Sequence, residues 1–199
     1  VDALLESQFL SQHKRVTAIE IEKKEAEKLS EKLKDNSNID VVNGDFFEFY
    51  HKHKDMDTYD LILGNPPYIR YQYLEEKQRS EMAEILTSHG MKANKLINTW
   101  VGFMVACVHM LSDNGKIAFV IPAEILQVAY AEDLRLFLSN KLSKITLLTF
   151  EELVFPGIDA GMATALYWSV FFSGLTSMVS PVPSSCQVTS SVHTYQVTV

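Results

Sequence analysis

Asn65-Pro66-Pro67-Tyr68 follows directly on the apolar run Leu61-Ile62-Leu63-Gly64. An amide, stiff backbone carbonyls and an aromatic face are therefore presented together at the end of a segment that reads as a buried strand. Such a group suits methyl transfer to a planar amino nitrogen. That nitrogen is a poor nucleophile because its lone pair is delocalised into the neighbouring ring or carbonyl, and it improves when acceptors draw its two hydrogens out of plane. The Asn65 side-chain oxygen and the Pro66 carbonyl are the candidate acceptors. Two consecutive prolines fix φ and donate no N–H, so the turn is stiff while its carbonyls stay free for a ligand. Tyr68 offers a face on which a flat substrate can stack.

Asn and Pro also dominate ordinary turns, so composition alone does not separate a catalytic turn from a structural one. Position favours the catalytic reading, because ligands of open α/β sheets bind outside the carboxyl ends of strands. Three more candidates fall at such ends. Glu20 closes Val16-Thr17-Ala18-Ile19 and can accept from the two hydroxyls of a ribose, or it simply opens a Lys-rich helix. Asp45, in Asn43-Gly44-Asp45-Phe46-Phe47, can accept from an adenine amino group while Phe46 packs on the ring; equally it can cap the next helix. Phe155 stands in the loop Leu153-Val154-Phe155-Pro156-Gly157, where an aromatic either reaches a ligand or tucks into the core.

The elements that position these residues alternate in period. Helical spacing in residues 1–12 gives way to a short strand over 16–21, a charged helix over 23–34 with Ala26, Leu29 and Leu33 as its apolar stripe, and a strand over 39–42. A short helix or loop over 46–54 leads to the strand 59–63. Residues 69–95 are polar, rich in Arg, Lys and Tyr, and read as a loop or lid with at most one helix. Trp100, Phe103, Met104, Cys107, Val108 and Leu111 then mark an amphipathic helix, and Ser112-Asp113-Asn114-Gly115 a turn before the strand 116–121. A helix over 131–142, a strand over 145–150, the loop 151–161 and a strand over 162–172 complete the pattern. Alternation of this kind implies an α/β fold with a mostly parallel sheet, right-handed crossovers and helices on both faces.

The chain has 199 residues, enough for one α/β domain with a core. Its net charge is −7, from 18 Lys and Arg against 25 Asp and Glu, so any nucleic-acid contact has to be local. Arg70, Lys77, Arg79, Lys92 and Lys95 supply such a basic rim just beyond the Asn65 turn, or else a solvated charged loop. Cys107 and Cys186 suggest neither a disulfide framework nor a metal site. No basic leader or long uncharged apolar stretch points to secretion or a membrane, and an intracellular, cytoplasmic protein is expected. After Asp159 no Asp, Glu, Lys or Arg occurs, and from Ser173 the chain is rich in Ser, Thr, Val and Pro. We therefore separate a domain over 1–172 from an atypical tail over 173–199.

Taken in order, Glu20, Asp45, Asn65 to Tyr68 and Phe155 resemble the S-adenosylmethionine-dependent amino-methyltransferases, in particular the DNA N6-adenine methyltransferases of restriction-modification systems. Ala18-Ile19-Glu20-Ile21 is similar to that family's acidic ribose motif and Asn43-Gly44-Asp45-Phe46 to its adenine-contact motif. Asn65-Pro66-Pro67-Tyr68-Ile69-Arg70-Tyr71 resembles the catalytic motif, and Val154-Phe155-Pro156 the loop whose aromatic packs on an extruded base. The resemblance implies a Rossmann-like methyltransferase fold, S-adenosylmethionine without a metal as cofactor, Glu20, Ile21, Asp45 and Phe46 as cofactor contacts, and Tyr68 and Phe155 as stacking partners of the target base. DNA is then the partner, contacted by Arg70, Lys77 and Arg79, with a nuclease and a target-recognition domain fused or separate. Two departures stand out. No Gly-x-Gly occurs, so the glycine loop that follows the first strand in the family is absent from these residues, and the family's target-recognition domain is expected to be missing or replaced. The expectation is an N-terminally truncated fragment that binds cofactor weakly by itself. A glutamine N5-methyltransferase shares Asn-Pro-Pro-Tyr and is one alternative; a non-catalytic remnant is another.

Overall fold

The computed structural model describes residues 15–122, 125, 131–150, 165–170 and 192–198, and the chain divides into two compact units, Val1–His53 and Lys54–Val199. The helix expected over 1–12 and the Phe155 loop lie outside the described residues.

The first unit runs β1 (Val16–Glu20), α1 (Lys23–Leu33), β2 (Ile39–Asn43) and α2 (Phe46–His53). β1 and β2 are parallel, with Val16 opposite Ile39 and Glu20 opposite Asn43. Parallel neighbours need a crossover, and α1 is that crossover. Its buried residues are Ala26 and Leu33, spaced seven apart on one face. The opposite face carries exposed ion pairs, Lys28 with Glu25 and Lys34 with Glu31, both at 2.6 Å. Exposed pairs of this kind add little stability and chiefly keep the face solvated. α2 buries Phe47 and Tyr50, which are 2% and 1% exposed.

The second unit runs β3 (Tyr59–Gly64), a 3-10 turn (Tyr71–Tyr73), α3 (Glu76–Ser88), α4 (Thr99–His109), β4 (Leu111–Pro122), α5 (Ala131–Lys141), β5 (Lys144–Phe150), β6 (Ala165–Val170) and β7 (Val192–Thr198). Its sheet has the order β3-β4-β6-β5-β7. β3 and β4 are parallel, joined through α3 and α4; beyond β4 the direction reverses, and β6 lies antiparallel between β4 and β5. The parallel pairings are thus those bridged by helices. β6 follows β5 through a stretch with no helical periodicity, and antiparallel neighbours require no crossover helix. Within the tail set apart by composition, Val192–Thr198 pairs antiparallel with β5 from Lys144 to Phe150. Its Val, Thr and Tyr are good strand formers.

Two elements differ from the sequence reading, and a third fills in what that reading left open. The expected turn at 112–115 is a bulge inside β4: Tyr59 pairs with Leu111 but Leu61 with Lys116, so the extra residues are looped out of register. A Cβ on Gly115 would lie 2.8 Å from the Tyr59 carbonyl oxygen and 2.9 Å from that of Ser112, and only glycine fits. Residues 76–88 form the one helix that the reading of 69–95 allowed, and its Met82, Ile85 and Leu86 are buried. Three apolar residues at i, i+3 and i+4 were enough to dock it. α4 is buried nearly all round rather than along one stripe, with Val101, Val105 and Ala106 as deep as Trp100 and Met104. It is packed by α3, α5 and β4 together, which leaves it little solvent-facing side. Cys107 sits inside it, and burial pushes its thiol well above the ordinary range, so it stays protonated and inert.

Candidate active site

β3 ends at Gly64, where the backbone is pressed against a ring: a Cβ at that position would meet Phe119 Cε1 at 2.9 Å. Gly64 and Phe119 are register partners of β3 and β4. The next residue, Asn65, emerges at the carboxyl end of a parallel strand and is exposed; Pro66 is buried, Pro67 exposed and Tyr68 half-buried. The proline ring at 66 anchors the turn in the protein while the amide before it faces solvent. Such a strand end is where open α/β sheets bind ligands.

The Tyr68 hydroxyl lies 3.0 Å from Asn65 Oδ1 and 3.0 Å from the Val120 carbonyl oxygen. A phenol has one proton, so it donates fully to only one of these acceptors at a time. When it donates to Val120 O, half a turn of the Asn65 amide lets Nδ2 donate to the phenolic oxygen and swings Oδ1 outward. The Asn65 oxygen is then available to a substrate N–H. Burial raises the Tyr68 pKa, so the hydroxyl remains a donor throughout the physiological range.

Downstream, Arg70 is exposed and forms an isolated antiparallel bridge with Asn98. Lys77 is exposed on the first turn of α3. Arg79 is half-buried, its Nη1 3.5 Å from the Gln72 carbonyl oxygen, and its own carbonyl accepts from the Tyr71 hydroxyl at 3.2 Å. Arg79 therefore knits α3 to the 3-10 turn, a packing use the sequence did not disclose. Lys92 and Lys95 are exposed in the segment that leads to α4.

In the first unit Glu20 and Asp45 share the carboxyl edge of the β1–β2 pair. Glu20 closes β1 opposite Asn43, and the Gly44 N–H donates to the Glu20 carbonyl at 3.0 Å. Asn43 Nδ2 donates to the carbonyls of Glu20 and Ile21 at 2.9 and 3.1 Å, which locks the two strand ends together. One Glu20 carboxylate oxygen accepts from the Glu22 N–H at 2.9 Å. Asp45 Oδ1 accepts from the N–H groups of Phe47 and Glu48 at 2.7 and 3.3 Å, the helix-capping role left open by the sequence. Ile21, 56% exposed beside Glu20, and half-buried Phe46 give this edge an apolar surface. A carboxylate with one oxygen fixed by backbone, next to exposed apolar side chains, fits the ribose and base of an adenosyl group. Among the described residues no cluster of three or more His, Cys, Asp or Glu is gathered as for a metal, and no helix is long and apolar enough to cross a membrane. Phe155, the remaining candidate, lies outside the described residues.

Comparison with known proteins bears on these strand ends. The chain is 32% identical over 161 residues to the type II methyltransferase M.AccI of Acinetobacter calcoaceticus, covering 79% of this chain and 28% of that protein. It spans about a quarter of the length of the type II methyltransferases it matches. Among solved structures, a Listeria monocytogenes protein titled as a class I S-adenosylmethionine-dependent methyltransferase superposes with a TM-score of 0.56 at 9% identity, over 82% of this chain and 46% of that one. The M protein of the type I restriction enzyme EcoKI gives 0.53 at 12% identity, over 86% and 35%. These likenesses establish the α/β fold of S-adenosylmethionine-dependent methyltransferases. Residues 4–155 match the sequence profile described as Eco57I restriction-modification methylase, and the chain accordingly belongs to that family.

Proposed function

We propose that this chain is part of the catalytic core of an S-adenosylmethionine-dependent DNA methyltransferase that modifies the exocyclic N6 amine of adenine within a restriction-modification system. The observation that carries the reading is the Asn65 turn: an exposed side-chain amide, held between buried Pro66 and the Tyr68 hydroxyl, at the carboxyl end of β3. Family membership over 4–155 supports it.

The adenine amine is unreachable while paired, so the base has to leave the duplex, at about a few kcal/mol. Stacking on Tyr68 offsets roughly 1 to 3 kcal/mol of this. Asn65 Oδ1 and the Pro66 carbonyl accept the two amine hydrogens and return electron density to the nitrogen. Catalysis then rests on orientation and fixed dipoles, with no charged base required. Glu20, Ile21, Asp45 and Phe46 would hold the cofactor, whose chemistry would be that of an electrophilic methyl group on a sulfonium. Exposed Arg70, Lys77, Lys92 and Lys95 meet phosphates beside the extruded base. Phe155 stacks on the base's other face. A target-recognition region and a nuclease, fused or separate, complete the system.

The deciding experiment follows transfer of a labelled methyl group by the full-length protein to unmethylated bacteriophage DNA and to a glutamine peptide. Label in DNA as N6-methyladenine is expected. Label confined to the peptide overturns the substrate class.

A further inference from the structure

Just past the catalytic turn the chain is fastened to α4. The Ile69 carbonyl, one residue beyond Tyr68, accepts both from the Thr99 backbone N–H, at 2.7 Å, and from the Thr99 hydroxyl. The Tyr71 N–H donates to the Ile97 carbonyl at 2.9 Å, and Arg70 bridges Asn98. The α4 side of this contact is buried: Asn98 is 8%, Thr99 2% and Trp100 0% exposed.

The chemistry of the helix start makes the arrangement unusual. Thr99 is the first residue of α4, and its N–H is one of the donors a helix cannot satisfy internally. Asn98 stands at the N-cap, where its side chain is among the best capping groups. It makes no cap hydrogen bond, and its Oδ1 is buried without a partner among the described residues. Leaving a buried acceptor unpaired costs about 1 to 3 kcal/mol. The first donor of α4, the Thr99 N–H, lies outside the reach of an N-cap side chain and is satisfied by a carbonyl of the segment that carries the turn. A helix whose first donor is taken up in this way ties its position to that of the turn.

We infer that Thr99 is a positioning residue for methyl transfer: its hydroxyl and N–H fix the Ile69 carbonyl and thereby hold the downstream end of the Asn65-Pro66-Pro67-Tyr68 turn. The upstream end is held by the pairing of Gly64 with Phe119. Thr99 reaches the substrate only through this turn, so the inference rests on the catalytic reading of Asn65. Small displacements of orienting groups cost large factors in rate while leaving cofactor affinity almost untouched.

The test compares Thr99→Val, Thr99→Ser and Asn65→Ala in the full-length protein, with unmethylated bacteriophage DNA as acceptor. Valine keeps the shape and the backbone bond but removes the hydroxyl; serine keeps the hydroxyl. Thr99→Val is expected to lower kcat about tenfold or more with the KM for S-adenosylmethionine within about twofold, and Thr99→Ser to restore most of the loss. Amide exchange over 65–71 should quicken in Thr99→Val and not in Thr99→Ser. Unchanged turnover in Thr99→Val, an equal deficit in Thr99→Ser, or unchanged exchange over 65–71 overturns the inference. Full activity in Asn65→Ala instead removes the reading of the turn itself, whereas a dead Asn65→Ala beside a fully active Thr99→Val removes only the role of Thr99.

Discussion

The Tyr68 hydroxyl stands 3.0 Å from Asn65 Oδ1 and an equal distance from the Val120 carbonyl, so one side chain links the Asn65 amide to the neighbouring strand β4. The amide is thereby oriented by a group three residues away in sequence, which is itself bound to a carbonyl fifty-two residues further on. Its orientation depends on β3 and β4 lying side by side.

If Asn65 supplies the acceptor for the amine, its removal strikes the chemical step. In the full-length protein Asn65→Ala should lower kcat by about a hundredfold or more, the scale seen when one oriented dipole is lost. Affinity for S-adenosylmethionine, measured by calorimetry, should stay within about twofold. Near-normal turnover would remove the assignment.

Tyr68 combines a ring and a hydroxyl, and two substitutions separate them. Tyr68→Phe loses the bond to Val120, worth about 0.5 to 1.5 kcal/mol, and keeps the stacking face. Tyr68→Ala loses both, including about 1 to 3 kcal/mol of base stacking. With 2-aminopurine at the target position, base extrusion read by fluorescence should survive in the Phe variant and fail in the Ala variant. Equal extrusion by the two would argue against stacking on this ring.

Glycines test the packing that places the turn. At Gly115 an added methyl would meet backbone oxygens at 2.8 and 2.9 Å, which cannot step aside, whereas at Gly44 nothing lies within 4 Å. Gly115→Ala should destabilise by about 1 to 3 kcal/mol. Gly44→Ala should be neutral, or stabilising by a few tenths, about 0.4 to 1 kcal/mol at most, through the unfolded chain. Denaturant midpoints decide between these, and equal shifts at the two sites would contradict the bulge geometry.

A pair of histidines should make stability sensitive to acid. His89 and His109 lie edge to face with ring centroids 5.0 Å apart, and Phe137 closes on His89 at 5.4 Å. The His109 pKa is lowered, first by burial, then by His89 and more weakly by Lys141 and Lys54, with Asp55 opposing. A base whose folded pKa is depressed binds more protons when unfolded. Its contribution is therefore complete above the unfolded value near 6.5 and is lost as the pH falls through that value toward the folded one. The melting temperature should drop between about pH 7 and pH 5 more steeply in the parent than in His109→Gln. Parallel profiles would refute the coupling.

The order of the described elements up to β6 was legible because each carries a local signal; β7, in the uncharged tail, was not read. Charge and a narrow apolar stripe mark α1, apolar runs mark β3 and β4, and Asn65-Pro66-Pro67-Tyr68 stands out as a candidate site by residue type and position. Asp45 was legible only as a choice between ligand contact and helix cap; its bonds to Phe47 and Glu48 show the cap, which still places its carboxyl group at the strand end. Lys77 and Arg79 looked alike in sequence, yet the first is exposed and the second ties α3 to the turn.

The sequence by itself determined the elements and the chemical types at the strand ends, since periodicity, turn residues and functional groups are properties of neighbouring positions. Tertiary structure alone decided that β6 lies antiparallel between β4 and β5, that 112–115 is a bulge, that α4 is buried on nearly every side, and that Thr99 and Val120 hold the turn. The bonds of Thr99 and Val120 join residues thirty and fifty-two positions apart. They depend on which surfaces pack together and which hydrogen bonds remain to be satisfied after packing, a global balance that no local stretch of chain encodes.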